Sequence, residues 1–195
     1  MNQFIASELD WKEKKFGLRQ ETAFPAEQGT TLRVKVDAPQ RRTINVRIPG
    51  WVAEGGSVKI NGRELEAFAQ AGSYLSLTRE WRDGDKIEVS LPMKLWEEPL
   101  KGDPTLRAAM YGPMVLAADL GPGPKDGPLK VGGYDTGPSA KELPKASENP
   151  EKPASEVELV SAKELTFRSG GMAVKPLVRV TDEKYAVYWK TMGKA

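Results

Sequence analysis

Leu32-Arg33-Val34-Lys35-Val36, followed after a short break by Arg42-Thr43-Ile44-Asn45-Val46-Arg47-Ile48, decides the fold class. Apolar residues occupy every second position and polar ones the positions between. In an extended chain successive side chains point to opposite faces, so this alternation describes strands with one dry and one wet face. A helix would need the apolar positions three and four apart.

The same period continues outward. Val58 and Ile60 lead into Asn61-Gly62, a pair suited to a tight hairpin turn, and Leu65 follows it. Leu75 and Leu77 lie in a strand from Tyr74 to Thr78. Arg82-Asp83-Gly84-Asp85 then turns the chain into Ile87, Val89 and Leu91. Many short strands separated by Gly, Pro, Asn and Asp turns predict an all-β protein, an antiparallel, jelly-roll-like β-sandwich. A second, smaller β-subdomain is left open.

Beyond this region Met110 to Leu120 is nearly continuously apolar, which predicts a strand buried on both faces. Residues 121–155, rich in Pro and Gly, are expected to form a loop or linker. Val157–Val160, Leu165–Phe167, Val174–Val180 and Tyr185–Trp189 are four further strand candidates; Ser155–Leu165 is the one weak helix candidate. The expected organisation is a β-sandwich over 1–120, a linker over 121–155, and strands over 156–195 that complete or pack on the sandwich. About 40 residues are too few to fold alone.

Composition excludes several chemistries. The 195 residues contain no cysteine and no histidine. Disulfides, thiolate nucleophiles and Ser–His–Asp or Cys–His catalysis are therefore absent from the sequence, and zinc lacks its favoured ligands. No metal or cofactor is expected; calcium, which asks only for oxygen ligands, stays open, although no EF-hand spacing is present. Lys and Arg number 29 against 27 Asp and Glu, too even a balance to predict nucleic-acid binding. No stretch approaches the roughly 20 apolar residues of a membrane span, and Asp10, Lys12, Glu13, Lys14 and Lys15 stand where a signal peptide would be apolar. The compartment stays undetermined.

Flat aromatic rings near strand ends suit sugar faces, which makes Trp51, Tyr74 and Trp81 candidates for carbohydrate binding; capping the sandwich core is the competing role. Asp83 with Asp85, and Glu97 with Glu98, are the carboxylate pairs that glycoside hydrolysis would require. Turn chemistry explains the first pair better, and surface solvation the second. Ser57 has no histidine partner. The Gly-Pro repeats at 121–124 lack the backbone donors of a phosphate loop.

Several segments in order resemble a known family: Leu9-Asp10-Trp11, Gln20-Glu21-Thr22, Arg47-Ile48-Pro49-Gly50-Trp51, Ile60-Asn61-Gly62, Gly72-Ser73-Tyr74-Leu75, Arg79-Glu80-Trp81-Arg82-Asp83-Gly84-Asp85, Leu91-Pro92-Met93, Tyr111-Gly112-Pro113-Met114-Val115-Leu116-Ala117, and Asp182 to Trp189. The series resembles the C-terminal β-sandwich part of the β-L-arabinofuranosidase family, glycoside hydrolase family 127. The resemblance implies that catalysis belongs to a separate helical barrel bearing a glutamate and zinc-bound cysteines. Those residues have no counterpart here. The expected role is thus a non-catalytic accessory sandwich with a structural or domain-packing function. A stand-alone carbohydrate-binding module, or a hydrolase with an unrecognised carboxylate site, are the alternatives. Expected partners are a catalytic helical barrel or a second copy, with Trp11, Phe16 and Phe24 as candidate contacts, and a carbohydrate.

Overall fold

The structure, a computed structural model, describes residues 1–66, 68–122 and 156–190. Its strands divide between two compact units, Met1–Lys94 and Leu95–Ala195.

The first unit holds β1 (Ser7–Trp11), β2 (Phe16–Glu21), β3 (Gly29–Val36), β4 (Gln40–Ile48), β5 (Ser57–Ile60), β6 (Arg63–Glu64), β7 (Ser73–Trp81) and β8 (Lys86–Ser90). Six of them form an antiparallel sheet in the order β1-β2-β3-β8-β5-β6, while β4 and β7 pair along their full nine residues as a separate ribbon. The alternation acts as expected. Leu32, Val34 and Val36 of β3 and Ile44, Val46 and Ile48 of β4 are buried, whereas Arg33, Lys35, Thr43, Asn45 and Arg47 are exposed. These residues join Val58, Leu77, Trp81, Ile87, Val89 and Leu91 in one core between the sheet and the ribbon. Each fully buried aliphatic side chain there contributes roughly 1.5–3 kcal/mol.

Two turns set the register. Asn61 and Gly62 both adopt positive φ, 51° and 79°, as a two-residue hairpin between β5 and β6 requires. Gly84, at φ 80°, lets the chain reverse between β7 and β8.

The second unit contains β9 (Leu95–Leu100), β10 (Asp103–Tyr111), β11 (Met114–Pro122), β12 (Val157–Ser161), β13 (Thr166–Ser169), β14 (Met172–Pro176), β15 (Glu183–Ala186) and β16 (Tyr188–Lys190). The apolar run from Met110 to Leu120 is not one strand. It bends at Gly112-Pro113, and Tyr111 faces Met114 across the turn. Gly112 takes the positive φ (54°) that the first position of such a turn demands, and proline needs no ladder partner at the second. Past the bend, Leu116, Ala117 and Ala118 are all fully buried, so this arm is dry on both faces.

The two arms of that hairpin pair only at its closed end and then splay. β15 pairs with β11 and β16 with β10, so the segment Glu183–Lys190 runs between them and changes partner at Val187. This break replaces the single strand expected over Tyr185–Trp189. The strand expected over Val174–Val180 likewise stops at Pro176, where a 3-10 turn over Leu177–Arg179 begins. The weak helix candidate Ser155–Leu165 is overturned: Val157–Ser161 is β12, paired with β13, and the turn after it ends at buried Leu165 in the left-handed region. Of the linker expected at 121–155, Gly121 and Pro122 finish β11; the rest lies outside the described residues.

Candidate functional site

β7 carries two of the three candidate sugar-binding aromatics at opposite ends and on opposite faces. Tyr74 is 52% exposed, and its hydroxyl donates to Asn2 Oδ1 at 2.8 Å. Trp81 is fully buried and its indole N–H donates to the Arg42 carbonyl at 3.1 Å. Seven residue steps along the strand separate them, about 23 Å. Trp81 is a core residue with no ring face open to a ligand. Trp51, half-buried, stacks on Phe24 at 5.6 Å between centroids, and Phe24 in turn meets Phe4 at 5.5 Å. These three rings pack on the end of the core rather than forming a rim with Tyr74.

The outer face of the β4–β7 ribbon is a polar ladder. Register sets Arg47 opposite Tyr74, Asn45 opposite Ser76, Thr43 opposite Thr78 and Arg41 opposite Glu80. Asn45 Oδ1 accepts from the Ser76 hydroxyl, and the Thr43 and Thr78 hydroxyls bond each other, both at 2.8 Å.

The sequence-derived carboxylate pairs are occupied by structural work. Asp83 Oδ1 accepts the Val36 N–H at 3.1 Å. Asp85, only 8% exposed, accepts from Arg82 N–H at 2.9 Å and from the Asn61 side chain at 2.7 Å. Burial pushes the Asp85 pKa up, but these hydrogen bonds and the Arg79 and Arg82 charges outweigh it and hold the carboxyl below its ordinary range. A general acid needs the opposite shift. Solvation does not account for Glu97 as expected: it is half-buried and paired with Arg107 at 3.4 Å, because strand pairing sets it against β10, while Glu98 is exposed.

A carboxylate pair that sequence reasoning missed lies on the six-stranded sheet. Strand register aligns Glu21, Thr31, Glu88 and Lys59 in one row across β2, β3, β8 and β5. The row lines a cleft of about 480 Å³ with Gln28 and Ser90. Glu21 and Glu88 stand two strands apart, about 10 Å. Arg33 pairs with Glu21 at 2.9 Å and Lys86 with Glu88 at 2.7 Å. The Lys86 hydrogen bond lowers the Glu88 pKa. A lowered pKa is the opposite of what a proton donor at Glu88 would need. Only the pairing of strands distant in sequence could have revealed this row. Among the described residues no group of three acidic side chains is placed to hold a metal.

Trp11, Phe16 and Phe24 divide by burial: Trp11 is 43% exposed, Phe16 is buried and Phe24 half-buried. Lys14 and Arg42 lie over the Trp11 ring at 6.0 and 5.8 Å. Ile5 and Leu9, at 60% and 50%, are exposed beside it in sequence.

Residues 1–93 match the family described as beta-L-arabinofuranosidase, GH127 middle domain. A GH127 β-L-arabinofuranosidase from Geobacillus stearothermophilus T6 is 25% identical over 62% of this chain and 20% of its own, with a TM-score of 0.53. A second GH127 β-arabinofuranosidase aligns with 96% of this chain and 33% of its own at 19% identity and a TM-score of 0.55, a likeness of fold. This chain thus spans a third or less of the length of these solved proteins. No curated protein matches it. The expected C-terminal placement is thereby refined, since the first unit corresponds to the middle of the family's architecture. Residues 1–93 are thus similar to the GH127 middle domain, and the chain is an all-β protein whose fold is similar to that of part of the solved GH127 arabinofuranosidases.

Proposed function

We propose that this chain is a non-catalytic accessory region that packs beside the catalytic domain of a GH127-like protein. The observation that carries this reading is the commitment of the candidate carboxylates, the exposed Glu98 excepted. Asp83 and Asp85 hold turns together, Glu97 pairs with Arg107, and the Glu21–Glu88 row is engaged by Arg33 and Lys86. Hydrolysis of a glycoside by a covalent route needs a nucleophile and an acid, and the sequence has neither cysteine nor histidine to replace them. Exposed Ile5, Leu9 and Trp11 supply apolar surface for packing. The test is activity of the purified chain on aryl β-L-arabinofuranosides. No turnover is expected; turnover abolished by Glu88→Gln in a folded protein sinks the reading. Light scattering across a concentration series tests the alternative that a second copy covers the apolar surface.

A second reading, carbohydrate binding, is favoured by one observation: the half-exposed Tyr74 ring, fixed by Asn2, at the end of a ladder of hydroxyl and amide groups. Titration calorimetry with arabinan fragments, repeated on Tyr74→Ala, tests it. Binding unaffected by the substitution excludes Tyr74 as the platform.

A further inference from the structure

The two layers of the first unit differ in width. Six strands make one layer, so its outer strand axes lie about 24 Å apart; the β4–β7 ribbon spans a single spacing of about 4.8 Å. Beside β7 the wider layer runs past the narrower one. A cleft of about 590 Å³ lies there, lined by Ile60 of β5, Leu65 just after β6, and Ser76–Glu80 with Arg82 on the ribbon side. Ile60 and Leu77 are buried and Leu65 is half-buried, so the covered part of the lining is apolar.

The edge of β7 beside this cleft is open. On β4 the Asn45 carbonyl accepts from the Met1 amino group at 2.6 Å, and Arg47 N–H donates to the Met1 carbonyl at 3.0 Å. Odd-numbered residues of β4 therefore turn their backbone groups away from β7, and even-numbered ones turn theirs toward it. Ile44 stands opposite Leu77, so it is the odd-numbered residues of β7 that bond β4. Ser76 and Thr78 present N–H and carbonyl to the other edge, and among the described residues these four groups have no partner. Arg79 breaks the alternation. It shares the inward parity of Leu75, Leu77 and Trp81, yet it is exposed, with its guanidinium over the Trp81 ring at 5.3 Å. Its field reaches Asp85, whose oxygens already accept from Asn61 and Arg82 N–H. Arg82 itself is held by Glu80 at 3.3 Å. Arg79 makes no direct ion pair among the described residues.

We infer that the β7 edge binds one extended segment of a partner protein, antiparallel to β7, with an apolar side chain opposite Leu77 and a carboxylate opposite Arg79. The residues opposite Ser76 and Thr78 exchange backbone hydrogen bonds with them. Paired residues share a face, so those opposite Leu77 and Arg79 point into the cleft. There the apolar side chain covers Ile60 and Leu65, and the carboxylate meets the planar Arg79 guanidinium, which suits it. In the partner's chain order the motif is acidic-X-apolar-X. An inward charge on an edge strand rejects purely apolar strands, so the carboxylate makes the pairing selective. Width excludes a second copy bound through its own β7. One strand spacing away, its β5–β6 flank would need the space that this β5–β6 flank fills.

This inference goes beyond the domain-packing reading and fails separately, since turnover or its absence leaves the β7 edge as it is. The test titrates the whole chain with the probe acetyl-Ser-Glu-Thr-Val-Thr-Ser-amide and follows its backbone amides by NMR. The largest shifts are expected at Ser76 and Thr78, with slowed exchange of both amides. Thr78→Pro should abolish the shifts and keep the fold, because the N–H it removes does not bond β4. Arg79→Glu should weaken binding at least tenfold, and a probe with lysine in place of glutamate should recover it. No shift at Ser76 and Thr78 at millimolar probe overturns the inference. Binding that ignores Arg79→Glu, or that the lysine probe does not recover, overturns it as well. So does protection of these two amides in the free chain; growth of that protection with concentration would identify a second copy as the occupant.

Discussion

Asn61 and Asp85, 24 residues apart, join two turns of the first unit through a 2.7 Å hydrogen bond from the asparagine Nδ2 to the carboxylate Oδ1. Asn61 also accepts the Lys86 N–H on its side-chain oxygen at 2.8 Å and donates its own N–H to the Lys86 carbonyl at 2.9 Å. Asp85 spends its second oxygen on Arg82 N–H. The β5–β6 hairpin tip and the β7–β8 turn are thus fixed to each other.

Asp85→Ala removes the acceptor for two donors in a buried place. Leaving such groups unpaired costs about 1–3 kcal/mol. Urea unfolding should show this loss, with the slope unchanged. Asp10→Ala, at an exposed residue of β1, should stay within about 0.5 kcal/mol. Equal effects would remove the turn clamp from the account.

The same carboxylate makes stability depend on acid. Its folded pKa lies below the unfolded value of about 3.9, so its contribution is fully present above that value. The contribution is lost as pH falls from there through the lower folded pKa. Between pH 5 and pH 2.5 the melting temperature of the native chain should fall further than that of Asp85→Asn. Parallel curves would show that Asp85 does not contribute.

Ile48 and Arg47 are neighbours on β4 with opposite surroundings, the first fully buried and the second exposed. Ile48→Asp buries an unpaired charge and should cost several kcal/mol. Arg47→Asp should cost less than about 1 kcal/mol. Denaturant midpoints measure both, and a reversal would place the alternation on the wrong face.

Trp81→Ala should destabilise by about 3–5 kcal/mol, since it empties a fully buried site and frees the Arg42 carbonyl. Tyr74→Ala should cost under about 1 kcal/mol, since it deletes an exposed ring and one surface hydrogen bond. Thermal melts of the two variants separate core from surface roles for residues that sequence alone grouped together.

That grouping was avoidable in part. Trp81 shares odd parity with Leu75 and Leu77 along β7, while Tyr74 has the opposite parity, so period two already points Trp81 inward. The strand breaks at Gly112-Pro113 and Pro176 were also legible, because proline cannot fill a central ladder position. The partner change at Val187 was not, since nothing local marks where a strand leaves one neighbour for another.

Sequence by itself determined the alternating strands around Leu32–Val36, Ile44–Ile48, Val58–Ile60, Leu75–Leu77 and Ile87–Val89, their dry faces, the Asn61-Gly62 hairpin and the absence of cysteine and histidine chemistry. These follow from side-chain alternation, backbone angles that few residues accept, and residue identity, all of which are local. Tertiary structure alone decided that Glu21, Thr31, Glu88 and Lys59 share one row and that Asp85 reaches Asn61. Each depends on which strands pair and in what register. Backbone hydrogen bonds are the same for every residue, so that choice rests on the packing of the whole core.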